Sequence, residues 1–308
     1  RIRRAQRDNL RALEAYRDAL TCLHPIRTDF LAVLSEENGN APFRESVGRV
    51  FMEYAELVLD MADSTKSADT EDYLKLARDI VEKLKSIEVA EFFLETDCEG
   101  LIESATRHLP KQDGAAILYT LCLSNRTELL VTLPSGLKRF KSSASRQQLM
   151  DAAVRFRKAI EQGTEDYLQT GFVLWSNLVA PVQAALVQDN VKTIVFVPEG
   201  LLATIPLAAL YDGQKFLCER FACAVVPGLT MMDANPIGSI EPRALSCGMS
   251  HFGDAGLVDL TNVVAELNLV KSRFPGTSLL DAQFTLGRFR RAIARGDEPI
   301  IHIASHAH

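Results

Sequence analysis

ALSCG (244–248), NVVAELNLVKSRF (262–274), SLL (278–280), TLGRFRRAIAR (285–295) and PIIHIAS (299–305) are the pieces whose order decides the fold. The first, third and fifth are short and apolar, the texture of strands buried on both faces. The second and fourth carry apolar residues at helical spacing. Strand–helix–strand–helix–strand with short connections predicts an α/β fold, with a parallel sheet covered by helices on both faces. In such sheets chemistry sits at the carboxyl ends of the strands. That places Gly248 to Phe252, and then Ser305 to His308, on the functional edge.

Working back from there, Thr193 to Val197 reads as another all-apolar strand, and residues 216 to 226 as one or two more. Ala115 to Leu123 and Thr127 to Leu133 predict a hairpin, closed after the second strand by the turn signal Pro134-Ser135-Gly136. Between these strands lie two helical stretches. Ser145 to Gln162 turns Leu149, Ala152, Ala153, Phe156 and Ile160 inward; Asp166 to Val187 turns Phe172, Leu174, Trp175, Leu178 and Val179 inward. Pro181 should kink the second or start a new helix.

Residues 1–112 read as an α-helical region, the end of a tetratricopeptide-like array or a plain bundle. Residues 113–308 form the α/β domain. One face of the first helix is Leu10, Leu13, Tyr16, Arg17 and Leu20, and a second carries Phe51, Tyr54, Ala55, Val58, Leu59 and Ala62. The third runs from Tyr73 through Ala77, Ile80, Val81 and Leu84 to Phe92 and Phe93, with Thr70 as N-cap and Gly100 as stop.

Net charge is −6, from 34 Lys+Arg against 40 Asp+Glu. No basic surplus asks for direct contact with nucleic acid. No apolar run reaches the roughly 20 residues of a membrane span. Six scattered cysteines read as reduced thiols of a cytoplasmic protein. The chain lacks an initial Met and stops inside a strand, so both ends read as cut.

His302, His306 and His308 share an even spacing that invites a zinc reading. The strand should end near Ser305, however, sending the last two rings in different directions, so no metal is assigned. His302, between Ile301 and Ile303, reads as a core histidine hydrogen-bonded to backbone. His306, at the strand's end, can face solvent and substrate and move a proton near neutral pH. Pro198-Glu199-Gly200-Leu201-Leu202 lacks the Lys and Ser/Thr of a phosphate loop. Gly248, Gly253 and Gly256 lack dinucleotide spacing. No cofactor is expected. Cys247 reads as a small buried residue rather than a nucleophile, and Glu266 as a surface or capping carboxylate.

Together these segments resemble the CHAT domain, the caspase-like domain usually found behind tetratricopeptide repeats. The resemblance is carried by Val197-Pro198-Glu199-Gly200-Leu201-Leu202 with Ile205-Pro206-Leu207, then Val226-Pro227-Gly228, Leu245 to Ser250, Glu266, and His302-Ile303-Ala304-Ser305-His306. It covers roughly residues 70 to 308. It implies a caspase-like three-layer sandwich around a mostly parallel sheet, and a cysteine endopeptidase regulated by its helical region. It makes His306 the catalytic base and places the nucleophilic Cys after a later strand, beyond the recorded chain. This fragment alone is then inactive. The backbone of Ala307 stands at the oxyanion hole, where the family usually has Gly. Gly248, Ser250 and His251 line one wall of a substrate pocket. The partners implied are a protein or peptide substrate and a protein activator held by the helices, with no membrane. The alternative is a catalytically inactive protein-binding scaffold, motivated by Ala307 and the absent nucleophile.

Overall fold

The computed structural model describes residues 4, 6, 8–36, 48–64, 69–92, 114–229, 242–253 and 257–306. Phe93, Gly100, Ala307 and His308 lie outside them. The chain packs as two compact units, Arg1–Ala234 and Asn235–His308.

The first unit opens with three helices, α1 (Asn9–Glu36), α2 (Arg49–Ser64) and α3 (Asp69–Phe92). Thr70 therefore lies inside the first turn of α3 rather than capping it. Strands β1 (Ala115–Cys122), β2 (Thr127–Leu133) and β3 (Gly136–Ser142) follow, then helices α4 (Arg146–Gln162), α5 (Asp166–Leu178) and α6 (Ala180–Gln188). Strands β4 (Thr193–Val197) and β5 (Ala222–Val225) complete a mixed sheet in the order β3-β2-β1-β4-β5. Antiparallel ladders join β1, β2 and β3, while β1, β4 and β5 run parallel.

The unbroken apolar runs are explained by two cores, one on each side of this sheet. Ala116, Leu118, Leu129, Val131, Ile194 and Phe196 face α4, α5 and α6. Tyr119, Leu121, Leu130 and Val197 alternate with them and pack with residues of the N-terminal helices, among them Tyr16, Phe51, Val58 and Ile80. Those helices are thus a covering layer of the sheet. Its polar fastenings are buried too. Glu82 of α3 accepts a 2.7 Å hydrogen bond from the Tyr119 hydroxyl and a 3.1 Å bond from the Leu229 amide. Glu128 of β2, fully buried, lies between Arg126 and Arg139, which also reach Asp60 and Asp63 of α2.

Several side chains point away from where periodicity puts them. Leu10 is 68% exposed because the buried stripe of α1 is Ala12, Tyr16 and Leu20. Ile160 lies beyond the inward face of α4 and is exposed. Phe172, also exposed, stacks on Trp175 at 6.0 Å and covers Gly213, whose φ of +96° makes the turn beneath it. Pro181 starts a new helix: α5 and α6 meet at a 62° bend, where the missing N–H needs no acceptor. Residues 216–226 hold a 3₁₀ turn (Leu217–Glu219) and the single strand β5. β3 was hidden in the sequence by Lys138, Arg139 and Lys141, charges that suit the edge of a sheet.

The second unit contains β6 (Ala244–Gly248), α7 (Val263–Arg273), β7 (Ser278–Leu280), α8 (Leu286–Arg295) and β8 (Ile300–Ala304). Its sheet is all-parallel, in the order β7-β6-β8. Gly248 and Ala304 face α7, whereas Leu245, Cys247 and Leu279 face Ala292 of α8. The parallel strands therefore fall into two sheets rather than one. Apolar texture identifies strands, but it does not say which of them pair. No single described helix is long and apolar enough to cross a membrane.

Candidate active site

β8 ends at Ala304, whose carbonyl still accepts a 3.1 Å hydrogen bond from the Met249 amide beyond β6. One turn later His306 leaves the sheet, half-buried. Its Nε2 lies 2.8 Å from the Val258 carbonyl, and its ring packs on Phe252 with centroids 4.7 Å apart at 57°. A carbonyl only accepts, so this contact puts the proton of a neutral imidazole on Nε2. The basic lone pair is then on Nδ1.

The segment Ser250–Phe252 is itself fixed by two carboxylates. Asp281, just after β7, accepts from the Ser250 amide at 2.6 Å, the Ser250 hydroxyl at 2.8 Å and the His251 amide at 3.3 Å. These donors hold its carboxyl below the ordinary range, outweighing partial desolvation. Asp281 has φ +46°, a left-handed conformation that Asp tolerates better than most residues. Asp259 accepts from the Phe252 amide at 3.0 Å and lies 3.0 Å from Nδ1 of His251. The hydrogen bond and charge of Asp259 raise the exposed His251 ring above its ordinary value. A 2.9 Å bond from the Leu260 amide to the Ser250 carbonyl closes the loop.

The structure thus brings Ser250 and His251 into the loop that supports His306. Ser250 is buried against Asp281 and His251 is exposed. Gly248 lies under α7, where an added Cβ would stand 2.4 Å from Leu267 Cδ1 and 2.5 Å from Val263 Cγ1. Gly248→Ala is accordingly expected to destabilise the second unit by about 1–3 kcal/mol. Denaturant melting followed by His306 NMR resonances would measure it, and an unchanged midpoint would refute the tight fit.

His302 points to the α7 side, with a buried Nε2 3.0 Å from Glu266 Oε1, although no hydrogen-bond geometry is met. Its neighbour is a side-chain carboxylate, not the backbone expected. Among the described residues no group of three His, Cys, Asp or Glu side chains is placed to hold a metal ion. Cys247 is fully buried among apolar residues, and burial pushes its thiol up to about 11. It cannot supply thiolate near neutral pH.

Sequence reasoning placed Phe252 on the functional edge without giving it a role, and missed Val258, Asp259 and Asp281. The one usable signal was an acid directly after each of two apolar pairs, Leu257-Val258 and Leu279-Leu280. An acid in that position can accept the amides of a turn.

Residues 168–308 match the family model of the CHAT domain, from the start of α5 through β8. This is a shorter span than residues 70–308, over which the resemblance was read. No curated protein matches the chain.

Proposed function

Taking residues 168–308 as a CHAT domain, a caspase-like family, we propose that this chain carries the base of a cysteine endopeptidase whose helical N-terminal region regulates it. The observation that supports this reading is the placement of His306: past a strand end, oriented through Nε2 and braced by an aromatic ring. Nδ1 would take the proton of a thiol, and the thiolate would attack the peptide carbonyl. The imidazolium would then return the proton to the departing amine, leaving a thioester that water hydrolyses with the same ring as base. The backbone amide of Ala307 would face the developing oxyanion, and the exposed His251 would border the substrate, with the buried Ser250 holding the loop behind it. The sulfur would come from polypeptide outside this sequence.

The test is to express the chain with its encoded continuation and assay cleavage of candidate partner proteins and a peptide library. A strand ending in Cys within roughly 40–80 further residues is expected; a continuation without one refutes the reading. Ala307 in place of the usual glycine favours the alternative, an inactive protein-binding scaffold. Cleavage that disappears on His306→Ala excludes it.

A further inference from the structure

Glycines apart, Asn190 and Asp281 are the residues with positive φ among those described, at +52° and +46°. Asn190 makes the turn between α6 and β4, an ordinary use of Asn. Asp281 stands instead at the carboxyl edge of the second sheet. A strained residue persists where its surroundings over-determine it, and such residues gather at functional sites.

The register of the strands shows what Asp281 reaches. Leu280, Gly248 and Ala304 pair level with one another across β7, β6 and β8. Asp281, Ser250 and His306 therefore leave the same edge one or two residues later. β6 separates the other two strands, so Asp281 reaches His306 through the loop that follows β6. The Ser250 hydroxyl donates to its carboxylate at 2.8 Å, and the Ser250 and His251 amides donate at 2.6 and 3.3 Å. An aspartate that merely shaped its own turn would take amides a few residues on. These donors lie 30 and 31 residues upstream.

Ser250 is also where the loop closes, since its carbonyl accepts from the Leu260 amide at 2.9 Å. Two residues before Leu260, the Val258 carbonyl lies 2.8 Å from Nε2 of His306. Two residues after Ser250, the Phe252 ring packs on the imidazole. Asp259 braces Phe252 from within the loop, whereas Asp281 ties the loop to a different strand.

We propose that Asp281 is a positioning residue for His306: by holding Ser250 and His251 it fixes the loop whose Val258 carbonyl decides which imidazole nitrogen carries the proton. This role rests on the reading of His306 as the base, but its probe is the ring's own proton, so it is tested without any cleavage.

The test is proton–nitrogen NMR of the 308-residue chain labelled with ¹⁵N-histidine, with His306 assigned by the signal lost in His306→Gln. At mildly alkaline pH the wild type should show a proton on Nε2 that exchanges slowly with water. Asp281→Gly keeps the left-handed backbone at no steric cost but removes the acceptor. It should exchange that proton at least about tenfold faster and mix the two tautomers. Asp281→Asn tolerates the same φ and retains an acceptor oxygen, so it should restore most of the wild-type signal. Ser250→Ala keeps the amide bonds and loses the hydroxyl, and should fall between. Wild-type exchange and tautomer in Asp281→Gly overturn the proposal while leaving His306 as the base, even if the variant melts earlier. A wild type without a protected Nε2 proton removes the orientation of His306 itself. Should Asp281→Gly unfold, Ser250→Ala decides, and exchange equal to wild type in that variant overturns the proposal.

Discussion

His306→Ala, made in the protein extended to its nucleophile, is expected to lower kcat/KM for peptide cleavage by about 10²–10⁴-fold, the usual contribution of a positioned acid–base group. The loss should fall on kcat, because in the proposed mechanism the ring would act on protons in flight rather than on substrate affinity. The surrounding geometry makes the expectation specific. The Val258 carbonyl lies 2.8 Å from Nε2, so in the proposed peptidase the opposite nitrogen would take the proton. Phe252→Leu keeps that hydrogen bond but removes the ring that packs on the imidazole. It should therefore give a smaller loss with a displaced pH profile, whereas a purely structural role for Phe252 would leave the profile unmoved. Stopped assays with His306→Ala, His306→Gln and Phe252→Leu would decide the matter. Wild-type rates in both His306 variants would remove the ring from the mechanism.

The largest stability effect is expected at Glu128. Its carboxylate is fully buried and accepts from Arg126 Nε at 2.6 Å, Arg139 Nε at 2.8 Å and Arg139 Nη2 at 2.7 Å. Desolvation pulls its pKa up, but the hydrogen bonds and charges of the two arginines prevail and hold it below the ordinary value. Glu128→Ala leaves two guanidiniums facing a dry methyl group. It should cost about 3 kcal/mol, at the lower end for a broken buried pair because Asp60 and Asp63 remain as partners. The sign of the pH dependence follows from the lowered folded pKa. Glu128 contributes its full stabilisation above the unfolded carboxylate value of about 4.3, and loses it as pH falls through the folded value. The wild type and Glu128→Ala should thus differ most near neutrality and converge in acid. Parallel denaturant titrations at neutral and acid pH would show this, and a gap that widened on acidification would refute it.

The strands were legible because burial on both faces demands an unbroken apolar run, as in Thr193 to Val197. Helix starts were legible where a side chain caps them. Ser145 accepts from the Gln148 amide, and Thr285 from the Arg288 amide. Pairing was not legible, because Leu245 and Ile194 look alike in sequence while belonging to different sheets. Nor was β3, whose charged residues lack the apolar texture that marks the other strands. At the site, His306 stood out by its position after an apolar strand. Phe252 and Val258 did not, because a ring against a ring and a carbonyl accepting a proton leave no compositional mark. Asp259 and Asp281 act through backbone amides, which every residue but proline supplies. Their importance came from where the chain turns, which only the fold reveals.

The N-terminal helices roof one side of the first sheet, with Phe51 and Val58 belonging to the same core as Tyr119 and Leu121. They cannot be exchanged like a detachable cassette: trimming the gene at Gly114 would strip a greasy surface bare and yield inclusion bodies rather than a minimal enzyme. Evolution that lengthens or replaces the leading helices must keep the last turns in place. Any signal arriving through them would reach the sheet as a mechanical load on its roof.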